Sequence, residues 1–151
     1  MSSQPLQPSS LKRSSSSNGK APHPDTPYLP PYDEVVWSYR TAEILGGDGQ
    51  PVFRQEGVQF PESWSQDAVN VVASKYFRGQ LGVPEREWSL RQIIDRVVRA
   101  IVAHGVEAGY FGGSPEESVT EALAFQTNRT RLILHQKMPF HSPVWFNIGV
   151  E

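Results

Sequence analysis

Alternating side chains mark the first regular part of the chain. Residues 35–40 alternate between an apolar or aromatic set and a more polar set, with the period of two that is typical of a β-strand. The GGDGQP stretch after Leu45 is rich in residues that tolerate positive φ, and it predicts the turn of a hairpin. Pro51 is confined to an edge or to the start of a strand. Residues 34–61 are therefore predicted to form a small β-hairpin.

The period changes after the hairpin. Apolar side chains now recur at helical spacing. Ser63 and Gln66 have the spacing of a capping box, and Gly79 is expected to stop the run. The sequence predicts a first helix over about 64–78.

A second helical pattern is the clearest in the chain. Its single apolar stripe contains Ile93, Ile94, Val97, Val98, Ile101 and Val102. The other faces carry the charged residues Arg91, Asp95, Arg96 and Arg99. Ser89 with Gln92 repeats the capping pattern. We predict a helix from about Leu90 to His104, with an extension to Ala108 left open.

A third helix is expected after a glycine-rich connection. Ser114 is a suitable N-cap, Pro115 suits the first helical position, and Glu117 lies three residues after the cap. Pro139 bars continuation of the helix. The predicted span is about 115–137.

The last patterned segment is a short apolar and aromatic run. Residues 142–150 contain Val144, Trp145, Phe146 and Ile148. A run of this kind, bounded by Pro143 and Gly149, is typical of a buried strand. We expect a strand there, with no later segment to pair with it. The predicted fold is mainly α with a small β-hairpin.

Composition separates the N-terminal part from the rest. Residues 1–31 contain 8 Ser and 7 Pro, with few apolar side chains, and are predicted to be a disordered tail. Lys12, Arg13 and Lys20 against Asp25 give this tail a charge of +2, so the net charge of −2 leaves −4 for the remainder. An acidic remainder argues against nucleic-acid binding by the folded part.

Two further sequence features limit the function. No stretch approaches the roughly 18 apolar residues of a membrane span, and the N-terminus lacks the apolar segment of a secretory signal, so a cytoplasmic location without membrane partners is expected. The chain has no cysteine, which excludes disulfides, thiolate zinc sites and thiol chemistry by its own residues.

Most candidate chemical groups have a structural interpretation that we prefer. His23, His104, His135 and His141 show no His-x-x-x-His zinc spacing, although a shared ligand role for the last two stays open. The GGDG stretch lacks the Lys-Ser or Lys-Thr of a phosphate loop, which favours a turn. The SKYFRG and PEREW stretches have the composition of a nucleotide-binding surface, yet core packing of Tyr76 and Phe77 explains the first adequately.

Ser142 is the candidate binding residue. Its hydroxyl precedes Pro143, whose fixed φ would hold the local backbone and present a hydrogen-bonding group to an anion or a ribose. Capping of the break between helix and strand is the preferred interpretation from the residues alone. Both interpretations stay open at this point.

Four stretches together resemble a known family. VQFPESWSQDAVNVVASKYFRG, PEREWSLRQIIDRVVRAI, GYF and LHQKMPFHSPVWFNIGV are similar, in order and spacing, to the N-terminal region of the adenosylcobalamin-dependent (class II) ribonucleotide reductases. The resemblance covers roughly residues 34–151. His141 departs from it, because the family typically has Asn at this position.

The resemblance implies a fold and a domain organisation. Such reductases enclose their chemistry in a ten-stranded α/β barrel, against which the N-terminal helical region packs. By this resemblance residues 32–140 are a reductase N-terminal domain, and residues 141–151 begin the first barrel strand. The chain is then expected to be a truncated portion of a longer enzyme.

The resemblance also implies an activity. These enzymes convert ribonucleotides to 2'-deoxyribonucleotides, using adenosylcobalamin to generate a thiyl radical on a cysteine, and Ser142 would help hold the substrate nucleotide. The cofactor contacts and the cysteines are expected mainly beyond this region, so the chain alone is expected to be inactive. Its expected partners are the remainder of the barrel or another reductase chain. The alternative is a stand-alone helical module that docks on a reductase and regulates it.

Overall fold

The structure, a computed structural model, describes residues 30–150. A short 3-10 helix, Pro31–Asp33, is followed by two strands, β1 (Trp37–Leu45) and β2 (Pro51–Pro61). Four helices come next, and they are α1 (Gln66–Lys75), α2 (Leu90–Glu107), α3 (Pro115–Leu134) and α4 (Ser142–Asn147). The fold is thus mixed helix and sheet. Residues 1–29 of the predicted tail lie outside the described residues.

The predicted hairpin is confirmed. β1 and β2 pair antiparallel, with Trp37 opposite Pro61 and Leu45 opposite Pro51, so the proline begins its strand as expected. The Gly46 amide donates to the Gln50 carbonyl at 2.7 Å and closes the turn. The GGDG stretch is therefore a turn between strands.

One face of the hairpin forms a core with the helices. The buried apolar residues include Val58 and Phe60 of β2, Val69 and Ala73 of α1, Ile93 and Ile94 of α2, and Ile133 and Leu134 of α3. The stripe predicted for the second helix therefore packs inward at its N-terminal half. Burial of such side chains supplies most of the favourable free energy of folding.

Helix α1 begins later than predicted. The Ser65 hydroxyl, not that of Ser63, accepts from the Ala68 amide at 3.2 Å and caps the helix. Trp64 explains the difference, since its ring is buried and its Nε1 donates to the Leu134 carbonyl at 2.9 Å. The chain has to enter the core before the helix can start.

Helix α1 also ends earlier than predicted, at Lys75. Phe77 leaves the helix to stack on Phe60, with ring centroids 5.6 Å apart. Arg86 then closes this end, because its guanidinium donates to the Ala73 and Phe77 carbonyls at 2.6 Å each. Burial lowers the pKa of Arg86.

The two longer helices begin where predicted. Ser89 with Gln92, and Ser114 with Glu117, form complete capping boxes. The amide of Ser114 donates to Glu117 and lowers the pKa of that carboxyl group. Within residues 30–150 no helix is both long enough and apolar enough to span a membrane.

The strand predicted over residues 142–150 is wrong, because Ser142–Asn147 form helix α4. Pro143 lies in its first turn, where its fixed φ suits a helix. The described residues contain one sheet, of β1 and β2, and no strand of it lies beside this segment. A short apolar run has no helical or extended preference strong enough to decide without such a neighbour.

Polar contacts of Tyr32 and Glu34 join the segment before β1 to the helices. The Tyr32 hydroxyl group donates a hydrogen bond to Asp95 Oδ1 at 2.6 Å. Burial, together with this bond, raises the pKa of Tyr32. Glu34 accepts from Arg131 Nε at 2.8 Å. His135 Nε2 lies 3.5 Å from the same carboxylate. Arg131 lowers the pKa of Glu34 below its ordinary value.

Glu34 makes stability depend on acid pH. A carboxyl group whose pKa is lowered by folding stabilises the folded state above its unfolded pKa and loses this contribution as pH falls through the folded value. We expect wild type to be more stable than Glu34→Gln at neutral pH. The difference should shrink once the pH falls below about 4.3, the ordinary pKa of Glu, and vanish below the lowered pKa of folded Glu34. Urea denaturation at a series of pH values measures it. The control His135→Asn keeps the contact between Arg131 and Glu34, so its stability should still fall at acid pH. A stability difference between wild type and Glu34→Gln that does not change with pH would contradict this assignment.

Gly79 is required by its surroundings. At φ +83° a Cβ there would lie 2.8 Å from Arg86 Cα, whereas Gly82 has φ +85° and open space. We expect Gly82→Ala to lower the free energy of unfolding by about 1 kcal/mol, through backbone strain alone. Gly79→Ala should lower it by about 3 kcal/mol, because the clash adds to the strain. Equal losses in chemical denaturation would disprove the close approach.

Candidate functional site

Ser142 is exposed at the first position of α4. Its Oγ lies 2.9 Å from the Tyr76 hydroxyl oxygen, so one of these hydroxyl groups donates to the other. The side chain of the N-cap, His141, makes no capping hydrogen bond. The hydroxyl of Ser142 is thus engaged with α1 and not with the start of its own helix.

Tyr76 connects this serine to the body of the protein. It is the C-cap of α1, and its amide donates to the Val72 carbonyl at 2.9 Å. Its half-buried ring packs against Phe146 and Trp145, with centroid distances of 5.1 and 6.3 Å. The core position predicted for Phe77 is confirmed. Tyr76 is partly buried against the same core and also contacts the segment that contains Ser142.

Arg96 holds α4 from the other side. Its Nη1 donates to the Trp145 and Ile148 carbonyls at 3.0 Å each. Its Nη2 donates to the Tyr76 carbonyl at 3.3 Å. A guanidinium has five N–H groups, and Nε and the second Nη2 proton go to Glu87. All five donors of Arg96 are therefore used.

Glu87 completes this buried ion pair. Its Oε1 accepts from Arg96 Nε at 2.9 Å, and the two side chains are 11% and 12% exposed. Its Oε2 also accepts from the Arg78 amide at 2.8 Å. The pair ties the connection between α1 and α2 to the backbone of α4.

Gly149 allows the chain to pass close to Arg96. It adopts φ +68°, and a Cβ at this position would collide with the Arg96 carbonyl oxygen. The approach brings the Ile148 carbonyl within reach of the guanidinium. We name Tyr76, Glu87, Arg96 and Ser142 the Ser142 anchor.

The predicted histidine candidates do not belong to the Ser142 anchor. His135 is beside Glu34, and His141 precedes α4 without a side-chain cap bond. In the described part of the chain no three His, Cys, Asp or Glu side chains are grouped to hold a metal ion. His23 is outside the described residues.

Sequence reasoning did not identify Tyr76, Glu87 or Arg96. Arg96 is one of four charged residues flanking the stripe of α2, and its spacing does not distinguish it from the exposed Arg99. Glu87 lies in a loop without periodicity. The one available signal was the cluster of arginines and aromatics in SKYFRG and PEREW, which contains Tyr76 and Glu87.

Comparison with known proteins gives a consistent result. A family model described as class II vitamin B12-dependent ribonucleotide reductase matches residues 38–136. The chain is 46% identical to a vitamin B12-dependent ribonucleotide reductase of Streptomyces clavuligerus over 125 residues, which are 82% of this chain and 12% of that protein. A protein of the same name from Rhodopirellula baltica is 44% identical over 122 residues, 80% of this chain and 11% of that relative.

The match is extensive within this chain but small within its relatives. This chain spans about one eighth of the length of the Streptomyces protein, as the 12% coverage shows. Ser142 lies beyond the 38–136 match, whereas Tyr76, Glu87 and Arg96 lie inside it. Since the family model matches well over half of the chain, this protein belongs to the class II vitamin B12-dependent ribonucleotide reductases.

Proposed function

We propose that this chain is the N-terminal portion of an oxidoreductase that converts ribonucleoside di- or triphosphates to 2'-deoxyribonucleotides in the cytoplasm. In that complete enzyme, α1 to α3 support the catalytic barrel and the Ser142 hydroxyl binds the substrate nucleotide. The observation that carries the role of Ser142 is its exposed hydroxyl, fixed 2.9 Å from that of Tyr76.

The hydrogen-bonding capacity of Ser142 supports this role. A hydroxyl group has one donor and two acceptor sites, so its bond to Tyr76 leaves capacity for a ligand. The backbone carrying it is held by Arg96 through the Trp145 and Ile148 carbonyls. A hydroxyl on a fixed backbone can bind a ribose or phosphate oxygen with little loss of conformational entropy.

The surface of α3 supports a partner in the rest of a reductase. Val119 and Leu123, one helical turn apart, are 60% and 58% exposed. Exposed apolar side chains at neighbouring positions are typical of surfaces that another part of an assembly covers. The remainder of the barrel, or another reductase chain, is the partner that we propose.

Adenosylcobalamin is the proposed cofactor of the complete enzyme. The apolar cavity beside Trp145 has a volume of about 230 Å³. Pockets for drug-sized ligands have about 300 to 1,000 Å³, and this cofactor is larger than such ligands. The cavity does not fit it, so we assign none of the residues that line this cavity to the cofactor and derive no step through it.

The alternative function is a helical module that docks on a reductase and regulates it. Its support in the sequence is the predicted unpaired strand over 142–150, an edge that could add to another sheet. That segment forms α4 instead. The reductase portion is therefore the better-supported proposal.

Replacement of Ser142 tests its role. In the complete reductase, Ser142→Ala should lower kcat/KM about 5- to 30-fold, mainly through KM, because loss of one hydrogen bond to the nucleotide is worth about 1 to 2 kcal/mol. Steady-state kinetics with varied ribonucleotide measures this. Ser63→Ala, at another exposed serine, is the matched control. Unchanged kinetics of Ser142→Ala would remove Ser142 from substrate binding.

The 151-residue chain by itself should not be a catalyst. It has no cysteine, and neither a thiyl radical nor a redox disulfide forms without one. Incubation with ribonucleotide, adenosylcobalamin and a dithiol should give no deoxyribonucleotide by chromatography, while the complete enzyme gives product under the same conditions. Product formed by the chain alone would overturn this expectation.

A further inference from the structure

Packing of the ring does not explain why residue 76 carries the hydroxyl group of a tyrosine. Its ring contacts Phe146 and Trp145, and a phenylalanine would keep both contacts. The hydroxyl is the part that reaches Ser142, at 2.9 Å. The contribution of the Tyr76 hydroxyl group is therefore to be sought in its hydrogen bond with Ser142.

Tyr76 is itself held rigidly enough to orient another group. Its amide is bonded to Val72 inside α1, and its carbonyl accepts from Arg96. The Arg96 side chain is fixed in turn by the buried Glu87. A chain of bonds thus extends from the buried ion pair to the phenol oxygen.

A free serine hydroxyl group rotates about two bonds, and both rotations matter for binding. Its χ1 angle populates three staggered wells, and its proton rotates about the C–O bond. A hydrogen bond to the fixed hydroxyl group of Tyr76 favours one of the χ1 wells and so fixes the position of the serine oxygen. Because tyrosine both donates and accepts, it can adapt to either direction of hydrogen bonding that the nucleotide requires of Ser142.

We propose that Tyr76 is a positioning residue, whose hydroxyl orients the Ser142 hydroxyl toward the nucleotide in the complete reductase. This inference rests on the proposed function of Ser142. Tyr76 acts through the serine and stabilises the bound nucleotide by limiting the rotamers that the serine has to give up on binding.

A double-mutant cycle in the complete enzyme tests this role. The variants are Tyr76→Phe, Ser142→Ala and the double variant, each assayed for KM and kcat, with melting temperature as the check on folding. Tyr76→Phe keeps the ring and removes only the oxygen. Tyr39→Phe is the matched control, since Tyr39 is exposed and its hydroxyl accepts from Gln59 at 3.4 Å, a residue outside the Ser142 anchor.

The expected result is a change of KM that depends on the serine. Tyr76→Phe should raise KM about three- to tenfold at an unchanged melting temperature, while Tyr39→Phe leaves KM as in wild type. In the Ser142→Ala background, Tyr76→Phe should change KM by less than about 1.5-fold, because residues that act through one another are not additive.

The other outcomes separate the two proposals. If Ser142→Ala raises KM but Tyr76→Phe does not, the inference is wrong and the function of Ser142 stands. An equal effect of Tyr76→Phe in both backgrounds would mean that Tyr76 acts independently of the serine, which also overturns the inference. If Ser142→Ala has no effect, the proposed function of Ser142 fails first.

Discussion

The buried pair of Glu87 and Arg96 is the interaction on which the arrangement of this site depends. Burying two charges is costly, and the pair is acceptable only because its remaining hydrogen-bonding groups are also satisfied. Arg96 uses all five N–H groups, three of them on backbone carbonyls of Tyr76, Trp145 and Ile148. Because these carbonyls belong to the end of α1 and to the α4 segment, one side chain sets the distance between the two.

A second arginine, Arg86, holds in place the segment between α1 and α2 that contains Glu87. Arg86 donates to the Ala73 and Phe77 carbonyls, and its Nε donates to Gln55 of β2 at 3.0 Å. The connection therefore closes the last turn of α1 and lies against the hairpin before it presents Glu87. Gly79 permits this path, since a side chain there would meet the backbone of Arg86. The hairpin thus contributes to the site indirectly, by supporting the loop.

The features that the sequence predicted depend on contacts between near neighbours in the chain. Those that it did not predict depend on contacts between distant residues. The caps at Ser89 and Ser114 were predictable, because each bonds to a residue three positions away. Ser65 displaced Ser63 as a cap because Trp64 bonds to Leu134, a contact across 70 residues that no local pattern contains. The helical form of residues 142–147 was missed for the same reason, since a short apolar run takes its conformation from its neighbours.

The same distinction applies to the candidate site. Ser142 was a candidate because of its place before Pro143, and the family resemblance favoured substrate binding over capping. Its contact with Tyr76 came from the structure. Arg96 was assigned to a polar face of α2, but a position beside an apolar stripe faces either solvent or another segment, according to what packs there. Only the folded chain shows that α4 packs at this position.

On the proposed role of Ser142, the location of the Ser142 anchor would give the N-terminal region a part in substrate binding beyond the proposed support of a barrel. The segment that contains Ser142 follows the region matched by the family, while the groups that hold it, Tyr76 and Arg96, lie within that region. If the helices only filled space against a barrel, their polar contacts with this segment would be unnecessary, because apolar packing would suffice. A buried ion pair directed at the backbone, and a phenol directed at the serine, instead fix position and orientation. These are the properties that a substrate-binding hydroxyl group requires.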